Sequence, residues 1–293
     1  MQLRANGVSL EVEEHGSPAG EPLLLVMGLG MQLLGWHEGL VRLLVERGFR
    51  VLRFDNRDSG LSDGFDHLGA PNLVLESMRH ALGLRIESPY TLAAMAADAL
   101  GILDALCIAS AHVCGASMGG MIAQHMARIA PERVRSLTLM MTSSGARHLP
   151  APSLRVRSAL IARPASNTVA GIVEHYVKLY ALIGSPAYPS SPPALRERFE
   201  LSVRRAYRPT GTARQMVAIA ADGDRSPMLG TIRSPTLVVH GKADPLVPLA
   251  AGRDVGAKIP GATIDVVEGM GHDLPPPLWP RFVDDIAAVA GRA

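Results

Sequence analysis

The pentapeptide Gly115-Ala116-Ser117-Met118-Gly119 carries the most definite chemistry in this chain. A serine between small residues fits a sharp turn from strand to helix, where its hydroxyl stands clear of the backbone. A hydroxyl is a weak nucleophile near neutrality, so it needs a base within hydrogen-bond reach and a carboxylate to orient that base. On such a turn the acid and the base come from loops later in the chain. His272, in Gly269-Met270-Gly271-His272, lies just beyond the last expected strand, and its glycines let the loop approach the serine. Asp244, in Gly241-Lys242-Ala243-Asp244-Pro245, follows the strand expected at 235–240 and precedes His272 by 28 residues. Other candidates fit less well. His240 ends a strand, and His148 and His175 fall outside the late loops. Asp273 adjoins the base too closely, Asp265 belongs inside a strand, and Leu139-Met140-Met141-Thr142-Ser143 offers no acid.

Attack on a carbonyl leaves a negative oxygen that needs backbone N–H donors. Met118, at the start of the helix after the serine, and Leu29, in Met27-Gly28-Leu29-Gly30-Met31 after an earlier strand, are the expected pair. Gly28 and Gly30 also begin a dinucleotide-binding pattern, but Leu33 occupies its third glycine position. Met31, Met118, Met140, Met141 and Met270 all fall near these loops and suggest an adaptable apolar pocket. Gly28, Met31, Met141 and Met270 are its expected lining. The polar segment Asp55-Asn56-Arg57-Asp58-Ser59-Gly60-Leu61-Ser62 reads as structural, with Asp55 and Arg57 expected to hold the oxyanion loop and the serine turn. With no phosphate-binding loop, HExxH or paired-cysteine motif, no metal and no cofactor are expected.

These loops need a frame. Apolar runs at 8–13, 22–27, 49–54, 111–115, 134–140, 235–240 and 262–267 read as strands. Helical periodicity separates them: Trp36, Leu40, Leu43 and Leu44 mark one helix, and 91–106, the stretch after Ser117 and 278–289 mark others. The alternation predicts an α/β protein with a mostly parallel sheet and helices on both faces. Between Met141 and Pro235 only helical patterns occur. Val169, Ile172, Val173, Tyr176, Leu179 and Tyr180 form one stripe there, and Leu195, Phe199, Val203 and Tyr207 another, joined by a Pro/Ser-rich connector at 185–193. The expected organisation is a core domain of residues 1–145 and 231–293 with a helical cap of residues 146–230.

A chain of 293 residues, 47% hydrophobic, can bury a large core. The net charge of +2 gives no reason to invoke nucleic acid. Charge is unevenly divided, however, and the stretch 147–233 is rich in arginine. Its side chains are expected to solvate helix faces or pair with the more acidic core, with steering of anionic substrates as the sharper alternative. Cys107 and Cys114 stand seven residues apart in an extended stretch, too far to bridge. The first residues lack a secretory apolar run and no stretch suits a stable membrane span, so the expected location is cytoplasmic. A small-molecule ester is the expected partner, and a homodimer is left open.

Taken together, Val26-Met27-Gly28 with Trp36 following, Asp55 to Ser62, Gly115-Ala116-Ser117-Met118-Gly119-Gly120, Asp244-Pro245 and Gly269-Met270-Gly271-His272 resemble the α/β-hydrolase superfamily, in particular the serine esterases related to aclacinomycin methylesterase. The resemblance implies an α/β-hydrolase fold with an eight-stranded sheet and a helical cap inserted after strand 6. It implies a carboxylesterase that works through an acyl-enzyme, with Ser117, His272 and Asp244 as its catalytic residues. Lactonases, methylesterases, carbon–carbon bond hydrolases and perhydrolases share this triad and stay open, as does a non-catalytic ligand-binding protein of the same fold. Haloalkane dehalogenases and epoxide hydrolases are disfavoured, because both use an aspartate nucleophile where Ser117 stands. Met27 is a departure, because many relatives have histidine there.

Overall fold

The computed structural model describes residues 1–293, apart from the side chain of His80. Its strands are β1 (Gln2–Ala5), β2 (Val8–His15), β3 (Glu21–Val26), β4 (Phe49–Phe54), β5 (Ala111–Ala116), β6 (Val134–Met140), β7 (Thr236–Gly241) and β8 (Thr263–Val267). The helices are α1 (Glu38–Glu46), α2 (Leu73–Ala81), α3 (Leu92–Ala105), α4 (Met118–Ile129), α5 (Leu154–Ile161), α6 (Val169–Ile183), α7 (Pro192–Arg205), α8 (Pro209–Asp222), α9 (Ser226–Leu229), α10 (Leu249–Lys258) and α11 (Trp279–Ala290).

The strands form one eight-stranded sheet in the order β1-β2-β4-β3-β5-β6-β7-β8, antiparallel at β1/β2 and β2/β4 and parallel from β4 onward. The parallel strands β3, β5 and β7 are buried almost throughout, which explains their continuous apolar runs. One face packs on α3 and α4 through Met95, Ile102, Ile122 and Met126. The other packs on α1 and α11 through Leu40, Leu44, Phe282 and Ile286. Helix α1 begins after Trp36 rather than at it, because His37 caps the helix by accepting from the Gly39 amide. Trp36 is buried just ahead of the helix.

Outside the stretch between β6 and β7, three elements had no clear sequence signal. Strand β1 is only four residues long, and α10 carries a weak apolar stripe of Ala251 and Val255. Helix α2 leaves Val74 and Met78 largely exposed, so its apolar residues do not record a buried face.

Helices α5 to α9 lie between β6 and β7. Within them Ile172, Val173 and Val177 of α6 pack on Leu195, Phe199 and Val203 of α7 in an apolar cluster of their own. Val177 replaces Leu179 in the expected stripe. Ala218 of α8 and Leu229 of α9 instead join the main core. A buried arginine fastens α8 to the core: Arg214 makes a two-pronged pair with Asp58 at 2.8 and 2.7 Å, and Asp58 also accepts from Tyr90 Oη at 2.7 Å. Burial pushes the Asp58 carboxyl up, but these bonds outweigh it and hold the group below its usual range.

Candidate active site

Strand register brings the site loops together. In the β3/β5 pair Val26 lies opposite Gly115, so the chain leaves both strands with Gly28 beside Ser117. A Cβ on Gly28 would sit 3.2 Å from Ser117 Cβ. In the β7/β8 pair Gly241 lies opposite Val267, and the loops that follow carry Asp244 and His272. All of these loops leave the carboxyl ends of parallel strands, where open α/β sheets place their binding crevices.

The serine turn is strained. Ser117 has φ +55° and ψ −118°, a backbone state that costs about 1–3 kcal/mol. Four hydrogen bonds hold it: Ser117 N donates to Met140 O at 2.9 Å, and Ser117 O accepts from Gly120 N, Met121 N and Thr142 Oγ1. The turn also requires glycine at two neighbours. A Cβ on Gly115 would meet Gly119 O at 2.3 Å, and one on Gly119 would meet Val26 O at 2.0 Å.

Ser117 Oγ lies 3.0 Å from His272 Nε2, and His272 Nδ1 lies 2.7 Å from Asp244 Oδ2. The ionised carboxylate accepts only, so Nδ1 carries the proton and the Nε2 lone pair faces the serine hydroxyl. Asp244 Oδ1 accepts from the amides of Leu246 and Val247, each at 2.8 Å, which fixes the carboxylate plane. His240 lies behind this acid. Its Nε2 donates to Val247 O at 2.8 Å, and burial lowers its pKa, so it stays neutral there.

The Leu29 and Met118 amides suit a developing oxyanion. Among the described residues neither donates to another group of the chain, and Met118 is the first residue of α4, where the helix dipole is positive. A side chain with no sequence signal anchors the Leu29 loop. Gln215, fully buried on α8, accepts from Gly30 N at 2.8 Å and donates to Arg57 O and Ser59 Oγ. Gln215→Ala is expected to lower kcat/KM about 10- to 100-fold by loosening this loop. Steady-state kinetics with thermal melting checks this, and a fall in melting temperature with kcat unchanged would limit Gln215 to packing.

Two expectations about supporting residues change. Asp55 does hold loops, accepting from Leu33 N and Leu61 N, but Arg57 turns away to pair with Asp98 of α3, both bonds at 2.6 Å. Asn56 does the work expected of Arg57, donating to Met27 O at 2.9 Å. The methionine pocket shrinks to one residue. Met141 and Met270 are buried in the core cluster with Met27, Trp36 and Phe282. Of these methionines Met31 reaches α6, where its sulfur accepts from Tyr180 Oη at 3.5 Å.

The end of α6 and the connector after it grip the histidine loop. His272 N donates to Ile183 O at 2.7 Å, Gly271 N donates to Ser185 Oγ at 2.9 Å, and Ala187 N donates to Gly269 O at 3.1 Å. The Pro/Ser-rich connector thus holds the base, a contact invisible to local pattern. Ser185 Oγ in turn donates to Asp273, whose carboxyl burial pushes up. Among the described residues no cluster of His, Cys, Asp or Glu has metal-binding geometry.

The profile of the alpha/beta hydrolase fold matches residues 21–275. The chain is similar to a rhodomycin D methylesterase of Streptomyces sp. (strain C5), 30% identical over 287 residues that cover 92% of this chain and 90% of the relative. A rhodomycin D methylesterase of Streptomyces peucetius is likewise 30% identical, over 292 residues and the same shares of each chain. Among solved structures, the meta-cleavage product hydrolase of Pseudomonas fluorescens IP01 superimposes with a TM-score of 0.77 at 21% identity, covering all of this chain and 97% of the other.

Proposed function

This chain belongs to the alpha/beta hydrolase fold family, and from that premise we propose that it hydrolyses small-molecule carboxylic esters by two-step acyl transfer at Ser117. The observation that carries this reading is the relay from Asp244 to His272 to Ser117, at 2.7 and 3.0 Å, behind a strained turn. His272 takes the Ser117 proton as Oγ attacks the ester carbonyl, and the Leu29 and Met118 amides receive the oxyanion. The tetrahedral intermediate collapses when His272 returns the proton to the departing alcohol. Water then attacks the acyl-enzyme with His272 again acting as base, which releases the acid and restores Ser117.

The full-length relatives named methylesterases favour ester over other scissile bonds, and methyl esters come first among substrates to try. Residues 146–230 act as the cap in this reading, supported by the separate α6/α7 cluster that overlies Met31. A cytoplasmic location belongs to the same proposal. Both cysteines are free, and among the described residues no helix is long and apolar enough to cross a membrane.

A panel of p-nitrophenyl esters, methyl esters, lactones and anilides tests the reaction, together with an organophosphonate label located by mass spectrometry. Esters should turn over far faster than anilides, with the added mass on Ser117. Absence of both ester turnover and labelling would overturn the reading.

A further inference from the structure

Helix α7 carries four arginines, and three of them are satisfied. Arg196 pairs with Glu174, Arg204 with Glu200, and Arg205 with Gln32 Oε1 at 2.8 Å and Asp55 Oδ2 at 2.7 Å. Arg198 is different. It is half-buried, yet among the described residues its guanidinium makes no hydrogen bond and meets no carboxylate within ion-pair distance. Five donors in a fixed fork are left open.

Its direction follows from helical spacing. Arg198, Ser202 and Arg205 stand at i, i+4 and i+7, one stripe of α7. Ser202 O accepts from Gln32 Nε2 at 2.7 Å, and Arg205 reaches Gln32 and Asp55, so this stripe faces the loop just after Leu29. The Arg198 guanidinium lies over two aromatic rings, 5.4 Å from the centre of Tyr180 and 5.7 Å from that of Phe199. Tyr180 Oη in turn touches Met31. The charge is felt beyond α7. It helps lower the pKa of His37, which stacks on Trp279, and it pulls down the carboxyl of Asp273, which burial pushes up. Asp273 is the neighbour of His272 in the chain.

We propose that Arg198 binds a carboxylate carried by the ester substrate away from its scissile bond, so that the preferred substrates are acidic esters such as half-esters of dicarboxylic acids. This rests on the ester-hydrolase reading and adds the substrate class. Stacking on two rings orders the guanidinium and leaves its N–H edge free, and a planar carboxylate matches that edge with two parallel bonds. A paired arginine would have to break an ion pair first, whereas Arg198 has none to lose. The cap's general basic excess would draw anions to the whole surface, but Arg198 combines a fork without any hydrogen bond with a place on Tyr180, the side chain that touches Met31.

The test compares kcat/KM for two matched ester series, one ending in a carboxylate and one in a methyl group, with the end group on the acyl or the alcohol side and the chain length varied. In the wild type at least one carboxylate ester should exceed its neutral partner tenfold or more. Arg198→Gln should cut that ratio about tenfold, mainly through KM, and Arg198→Lys should restore part of it. The proposal is overturned if no carboxylate ester is preferred, if Arg198→Gln leaves the ratio unchanged, or if both series fall equally in the variant, as a purely structural role requires. Turnover of neutral esters without any acid preference would sink this proposal alone. No turnover of either series would sink the ester-hydrolase reading beneath it.

Discussion

Ser117→Ala is expected to lower kcat/KM for a responsive ester by about 10⁴- to 10⁶-fold, which is the scale seen when a Ser-His-Asp relay loses its nucleophile. The substitution deletes Oγ and little else. The hydrogen bonds that hold the turn all use the Ser117 backbone, and alanine meets the same strain at φ +55° as serine does. Melting temperature should therefore stay close to that of the wild type while turnover collapses. Some rate above the uncatalysed reaction should survive, because the Leu29 and Met118 amides are untouched. Stopped assays over hours, with thermal melting alongside, measure both quantities. Wild-type turnover in this variant would move the chemistry away from Ser117.

Asp244→Asn should reduce kcat by about 10⁴-fold, and the hydrogen bonds around the acid explain why an isosteric change does so much. The amides of Leu246 and Val247 both point at Oδ1 and need an acceptor there. The asparagine carbonyl oxygen must take that position, which leaves its NH₂ group facing His272 Nδ1. The amide then donates to Nδ1 and forces the ring proton onto Nε2, the atom that must accept from Ser117. The geometry stays intact and the tautomer is wrong. Imidazole nitrogen chemical shifts would report the switch directly, and kcat would report its cost. Retention of wild-type kcat would mean that Asp244 does not set the ring's protonation.

Both expectations concern side chains that local pattern could single out. The sharp turn at Ser117 needs glycine where Gly115 and Gly119 stand, because backbone carbonyls occupy the space of a Cβ. Strand runs buried on both faces and helices with one apolar stripe likewise leave their periodicity in the sequence. The order strand, Ser117, helix and then two loops bearing Asp244 and His272 is enough to name three residues that the fold brings within hydrogen-bond reach.

Legibility stopped where partners lie far apart in the chain. Gln215 and Gly30 are 185 residues apart, and Ser185 and Gly271 are 86 apart. A glutamine in a helix and a serine in a connector look ordinary until packing decides what they face. The same limit misplaced the methionines. Met141 and Met270 sit close to the site loops in the chain, but the loops turn their side chains into the core. Arg57 and Asn56 are neighbours of like polarity, and only the position of α3 sends one to Asp98 and the other to Met27.

The amino-acid sequence by itself determined the alternating α/β architecture and the residues able to act as nucleophile, base and acid. These depend on backbone sterics and on hydrophobic spacing, which act over a few residues. Only the tertiary structure decided how the helices between β6 and β7 grip the histidine and oxyanion loops and which arginine of α7 is left without a partner. Hydrogen bonds and ion pairs form wherever folding brings their atoms within about 3 Å, whatever their separation along the chain.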